Sequence, residues 1–130
     1  RICSNVPAQS IVQTALGGHQ SVNDYLVPGG RLYEQREYIY EALNAIDGIS
    51  AVKPKAAFYI FPKINTKKFN IHNDEQFALD LLHDEKLLIV QGTGFNWKDP
   101  DHFRVVYLPR VEVLKGAVEK MTNFFSYYRQ

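Results

Sequence analysis

Cysteine is almost absent from this sequence: Cys3 is the only one in 130 residues. No intrachain disulfide can form, which excludes a stapled secreted scaffold and makes a reducing, cytoplasmic setting the expectation. An excess of charge of either sign is missing as well. Fifteen basic residues stand against fourteen acidic ones, for a net charge of +1. That balance gives no global pull toward nucleic acid or an anionic membrane surface. No apolar run approaches the roughly 18 residues of a membrane span. Internal repeats and low-complexity stretches are lacking too. Methionine occurs once, at Met121, and the chain opens on Arg1-Ile2-Cys3. The expectation is a piece of a longer polypeptide.

Apolar and aromatic residues are plentiful, at 45% and 13% of the chain, enough for one domain with a packed core. Ser4-Asn5-Val6-Pro7 reads as a helix start, with Ser4 or Asn5 able to cap and Pro7 in the first turn, where its missing N–H costs nothing. That helix runs to Leu16 and stops at Gly17-Gly18. Gln20 to Pro28 reads as a further helical stretch. A second helix is predicted from Arg31 to Asp47, with Leu32, Ile39, Leu43 and Ile46 on one face and Gly48 terminating it. The period then changes. Ile49–Val52 and Ala56–Phe61 read as strands, separated by Lys53-Pro54-Lys55, and Pro62 ends the second. Asn65–Asn70 reads as a loop. Asn73 or Asp74 caps a helix to about Glu85, with Phe77, Ala78, Leu81 and Leu82 inward. Leu87–Gln91 reads as a strand of buried type, and Gly92–Asp101 as a loop. His102–Leu108 is another strand, stopped by Pro109. Val111, Leu114, Val118, Met121 and Phe125 define the last helix. The implied fold is α+β, a small two-layer sandwich in which helices pack on a short, mainly antiparallel sheet.

Arg104 is the most suggestive polar residue. Strand alternation places Phe103, Val105 and Tyr107 on one face and Arg104 with His102 and Val106 on the other. A mid-strand guanidinium, if buried, needs an anion, and its planar fork suits a carboxylate. By pattern alone, a solvated arginine on an open sheet face is the commoner outcome. The loop Gln91-Gly92-Thr93-Gly94-Phe95-Asn96-Trp97 sets two glycines beside two aromatics. It is a weak phosphate-cradle signal, because no helix follows it, and an ordinary glycine-relieved turn is the simpler reading.

Lys53, Lys55, Lys63, Lys67 and Lys68 surround Phe58, Tyr59 and Phe61. That pattern permits either base stacking by a free-standing ligand- or RNA-binding module or, more simply, core aromatics with lysines guarding a sheet edge. His19, His72, His83 and His102 lack metal-ligand spacing and read as scattered surface histidines, so no metal site is expected. Asp74, Glu75, Asp80, Asp84 and Glu85 read as one solvated helix face. Residue pattern alone yields an α+β domain with an unusual loop, and no reaction.

Five segments in order add to this: Ser4-Asn5-Val6-Pro7-Ala8-Gln9, Pro28 to Arg36, Lys53 to Tyr59, Val90 to Trp97 and Asp101 to Val106. Together they resemble the C-terminal small domain of class I/II, fold-type I aminotransferases, most of all the bacterial glutamate–pyruvate (alanine) subgroup. The resemblance implies a boundary, with residues 1–20 a remnant of the large domain or a connector helix and 21–130 the small domain. It implies an enzyme in the full-length parent, a transaminase that uses pyridoxal 5'-phosphate to move an amino group between an amino acid and a 2-oxo acid. It also implies that the parent is a homodimer and that this domain closes over the site, with Arg104 at the position that grips the substrate α-carboxylate. The cofactor-bearing lysine and the aspartate facing the pyridine nitrogen lie upstream in this family. No catalytic and no cofactor-binding residue is therefore expected here, and no cofactor is expected bound to this fragment alone. In aspartate aminotransferases, an arginine shortly before the Ser-Asn-x-Pro motif reads a side-chain carboxylate. Arg1 stands one residue short of that spacing, and the role is not carried over. A fold-type I enzyme of another pyridoxal-phosphate reaction class is the related alternative.

Overall fold

The computed structural model describes residues 3–130; Arg1 and Ile2, and with them any role for Arg1, lie outside the described residues. Helix α1 (Val6–Gly17) begins where the Asn5 side chain accepts a hydrogen bond from the Ala8 N–H at 2.8 Å, which satisfies one of the helix's orphan donors. It buries none of its own residues, and Val6, Ile11 and Leu16 are exposed along it. Only Ser21–Tyr25 of the next segment is helical, as a 3-10 turn.

Helix α2 (Arg31–Asn44) turns Ile39 and Leu43 fully into the core. It ends three residues before the expected Asp47. The cause is local: the Asn44 side chain accepts from the Ala51 N–H at 2.9 Å, drawing the chain out of the helix. Gly48, at φ +95°, makes the following turn, and a Cβ there would lie 2.6 Å from the buried Phe69 ring. Glycine is thus demanded by backbone and by space, although not as the helix terminator.

Five short strands follow: β1 (Ile49–Ser50), β2 (Tyr59–Ile60), β3 (Lys63–Ile64), β4 (Val90–Gln91) and β5 (Phe103–Val106). All pairings are antiparallel. β5 lies between β2 and β4, while β1 pairs with β3. A single Lys63–His102 bridge joins the two ladders past Pro62. The expected Ala56–Phe61 strand shrinks to β2 because Ala57 sits at φ +57° in a turn, where its carbonyl accepts from the Tyr107 hydroxyl at 2.9 Å. The expected strand Leu87–Gln91 is paired only at β4. It is not buried throughout either, since Ile89 faces inward and Leu88 outward.

Between the strands, Asn65–Asn70 is not a loop. Helix α3 (Thr66–Phe69) forms there, capped by the Asn65 side chain and closed by Asn70 in the left-handed region, and it buries Phe69 completely. Helix α4 (Asp74–Glu85) starts at Asn73, whose side chain accepts from the N–H groups of Glu75 and Gln76. Helix α5 (Val111–Tyr127) presents Leu114, Val118, Met121, Phe124 and Phe125 to the core.

The core is aromatic at its centre. The Phe77 ring lies within 5.8 Å of both Phe103 and Phe125 and about 6 Å from Phe124 and Tyr128, in mostly tilted arrangements that favour edge-to-face contact. Helices α2, α4 and α5 thus cover the Phe103, Val105 and Tyr107 face of β5, as alternation requires. The result is the expected α+β two-layer arrangement. No helix among the described residues is long and apolar enough to cross a membrane.

Candidate functional site around Arg104

The outer face of β5 carries His102, Arg104 and Val106, again as alternation requires. The Arg104 guanidinium is held between two rings, its central carbon 4.6 Å from the Tyr59 ring centroid and 4.2 Å from that of Phe95. Both contacts fall within cation–π range. Its Nε is buried without a hydrogen-bond partner, and no carboxylate among the described residues forms a salt bridge with it. On one side opens a groove of about 340 Å3, lined, apart from Arg104, by apolar residues that include Leu88, Val90, Val106 and Val113. Arg104 is therefore half-buried and not neutralised by any acid among the described residues.

Phe95 reaches Arg104 because the Gly92–Phe95 segment is a 3-10 turn laid against the end of β5. The Gly92 N–H donates to the His102 carbonyl at 2.8 Å, and a Cβ on Gly92 would lie 2.7 Å from that same oxygen. Here the close approach requires glycine. The turn is not a phosphate cradle. The N–H groups of Gly92, Thr93, Asn96 and Trp97 all donate within the chain.

Two carboxylates tie this turn down, and neither role is legible from spacing. Asp74, grouped above with a solvated helix face, is 98% buried, and its two oxygens accept from the Thr93 N–H at 2.8 Å and the Thr93 hydroxyl at 2.7 Å. Asp101 accepts from the Trp97 indole at 2.9 Å and from His102 Nδ1 at 2.6 Å, and pairs with Lys63 at 3.2 Å. His102 is thus not a scattered surface histidine. Its ring is largely covered, stacked on Phe61 at 4.9 Å and against Trp97 at 4.5 Å. His19, His72 and His83 are exposed, and no cluster among the described residues could hold a metal.

Burial raises the Asp101 pKa, but the donors His102, Trp97 and Lys63 outweigh it and hold the carboxyl below the usual range. A depressed folded-state pKa contributes stability above the unfolded value and loses it as pH falls through the folded value. The Trp97 anchor should therefore survive acidification to below about pH 4. Trp97 is the only tryptophan, so its emission reports this directly. Wild-type emission is expected to stay constant until that range and then change, and Asp101→Ala to show the altered emission already at neutral pH. An unchanged spectrum in Asp101→Ala, which removes the acceptor altogether, would refute the anchor.

The arrangement needed for base stacking does not form. Tyr59 lies against Arg104 and Phe61 against His102, while Lys53, Lys63 and Lys68 pair with Glu37, Asp101 and Asp47. Nor do the residues around Arg104 suit pyridoxal phosphate. The turn's N–H groups are occupied, and Lys63, beside Asp101, is engaged in an ion pair. A half-buried guanidinium with no acid partner among the described residues fits a small carboxylate instead.

No family model matches the chain. Glutamate-pyruvate aminotransferase AlaA of Haemophilus influenzae is 57% identical over all 130 residues, which make up 32% of that protein. The crystal structure of an aminotransferase from Escherichia coli superposes with a TM-score of 0.92 at 55% identity, over 98% of this chain and 32% of that one. The chain is homologous to the alanine-type aminotransferases and has the fold of the aminotransferase small domain. An alanine aminotransferase from Pyrococcus furiosus gives a TM-score of 0.83 at 41% identity, over 96% of this chain and 31% of that one. The chain spans about a third of the length of the curated relatives it matches.

Proposed function

We propose that the full-length protein is a pyridoxal-phosphate-dependent aminotransferase. It moves an amino group between an amino acid, alanine or glutamate, and a 2-oxo acid. In this reading residues 21–130 are the small domain that closes over the site, and Arg104 binds the substrate α-carboxylate. The observation that carries it is the Arg104 guanidinium, pressed between Tyr59 and Phe95 with a buried, partnerless Nε. A half-buried guanidinium whose Nε is cut off from water and from every described acid gains from an anion, which is the missing half. Two parallel hydrogen bonds from the fork to a carboxylate fix the substrate's rotation as well as its position, which places the Cα–H bond for proton removal by a group elsewhere in the protein. Pyridoxal phosphate, when bound there, supplies the electron sink for that step.

Residues 1–20 are read as the connector to the large domain, a reading supported by the exposed apolar side chains of α1. The parent is read as a cytoplasmic homodimer. The test is an assay of the full-length protein with L-alanine and 2-oxoglutarate beside the 130-residue chain, each with added pyridoxal phosphate. Transamination by the first and none by the second is expected. Activity of the short chain, or decarboxylation or elimination in place of amino transfer by the full-length protein, would overturn the reading.

A further inference from the structure

We infer that Asp74 and Asp101 are positioning residues for the Arg104 clamp, bracketing the Gly92–Trp97 turn at its two ends and so fixing the Phe95 wall of the guanidinium slot. The inference rests on the reading of Arg104 as the carboxylate-binding residue. It goes beyond that reading by naming what holds the clamp in shape.

The turn has two side-chain anchors at carboxylates. At its start, both oxygens of Asp74 accept from Thr93, one from the backbone and one from the hydroxyl. At its end, the Trp97 indole donates to Asp101. Phe95 lies between these anchors, two residues from each, and forms one wall against Arg104, while Tyr59 of β2 forms the other. The rigid element β2 sets the Tyr59 wall. The Phe95 wall belongs to a one-turn 3-10 segment, whose few backbone bonds hold it weakly without such anchors.

Charge placement supports the same assignment. Two carboxylates near a cation ordinarily neutralise it. Here both acids are saturated by other donors: Asp74 by Thr93, and Asp101 by Trp97, His102 and Lys63. Asp74 is almost wholly buried, so its oxygens depend on the Thr93 bonds in place of water. Each acid thus organises the slot without occupying it, and the Arg104 fork stays free for substrate. Asp74 comes from the first turn of α4 and Asp101 from just before β5, so the turn is clasped from helix and sheet together.

The test uses the full-length enzyme with Asp74→Ala, Asp101→Asn, Thr93→Val and Thr93→Ser, alone and combined with Arg104→Ala. Asp74→Ala and Asp101→Asn should each raise KM for the amino acid about tenfold and lower kcat much less. Thr93→Val should follow them, and Thr93→Ser, which keeps the hydroxyl, should restore the wild-type KM. In the Arg104→Ala background the same changes should add nothing to KM, an interaction that a purely structural role would not produce. A normal KM in folded Asp74→Ala and Asp101→Asn enzymes overturns the inference, as does an additive loss in the Arg104→Ala background. Should Asp74→Ala fail to fold, the Thr93 pair decides by the same criterion. If Arg104→Ala itself leaves KM unchanged, the clamp reading fails. If Arg104→Ala raises KM and the anchor variants do not, the positioning inference alone fails.

Discussion

Arg104→Ala in the full-length enzyme is expected to lower kcat/KM for the amino acid about a thousandfold, since truncating one partner of a desolvated charge pair costs about 2–5 kcal/mol and each 1.36 kcal/mol is a factor of ten. The size follows from the surroundings. The guanidinium lies over two rings and its Nε is buried, so water replaces only part of what the carboxylate loses. Arg104→Lys keeps the charge but loses the planar fork and the stacking, and should fall between, at a loss of about thirtyfold. An amine without a carboxylate separates this role from a structural one. It should react poorly with the wild type and no worse with Arg104→Ala. If both substrates lose activity equally, Arg104 supports the fold and does not hold the carboxylate.

The largest stability effect is expected at Phe77. It is fully buried and meets Phe103 of β5 and Phe124, Phe125 and Tyr128 at the end of α5, so one ring joins helix α4 to both the sheet and the last helix. Phe77→Ala should destabilise the domain by about 4 kcal/mol, the usual range for a buried phenylalanine that leaves a cavity. That is a large share of the roughly 5–15 kcal/mol that holds a domain folded. Phe77→Leu should cost about 1.5 kcal/mol, because most of the volume is kept. Urea unfolding followed by far-UV circular dichroism measures both. A midpoint for Phe77→Ala close to the wild type would show that the cluster is not the centre of the core. Since Phe77 and Asp74 share the first turn of α4, Phe77→Ala should also loosen the Thr93 anchor.

Much of this architecture is legible along the chain because it depends on neighbours in sequence. The spacing of Leu114, Val118, Met121 and Phe125 places one face of α5 inward. Asn5 and Asn73 cap helices with their own side chains, a bond made within three residues. Alternation from Phe103 to Tyr107 puts Arg104 on the outer face of β5, whatever lies beyond it. Short segments escaped where a single polar contact overrode propensity. Asn44 cut α2 short by turning to Ala51, Ala57 broke the expected aromatic strand, and Asn65 and Asn70 framed a helix around Phe69 in a segment that reads as loop.

At the outer face of β5 the division is clear. The sequence by itself determined that a cation stands in mid-strand opposite the core face, because side-chain direction in a strand is fixed by the backbone's two-residue period. It also supplied a glycine where the Gly92 turn must touch β5. Only the tertiary structure decided that the cation is flanked by Tyr59 and Phe95 from two other segments, has no acid partner among the described residues, and sits beside a turn held by Asp74 and Asp101. Those contacts join residues from 9 to 45 positions away from Arg104, and Asp74 reaches Thr93 across 19. No periodicity along a chain encodes a meeting at that range; it arises when the helices and strands pack and each buried polar group finds its partner.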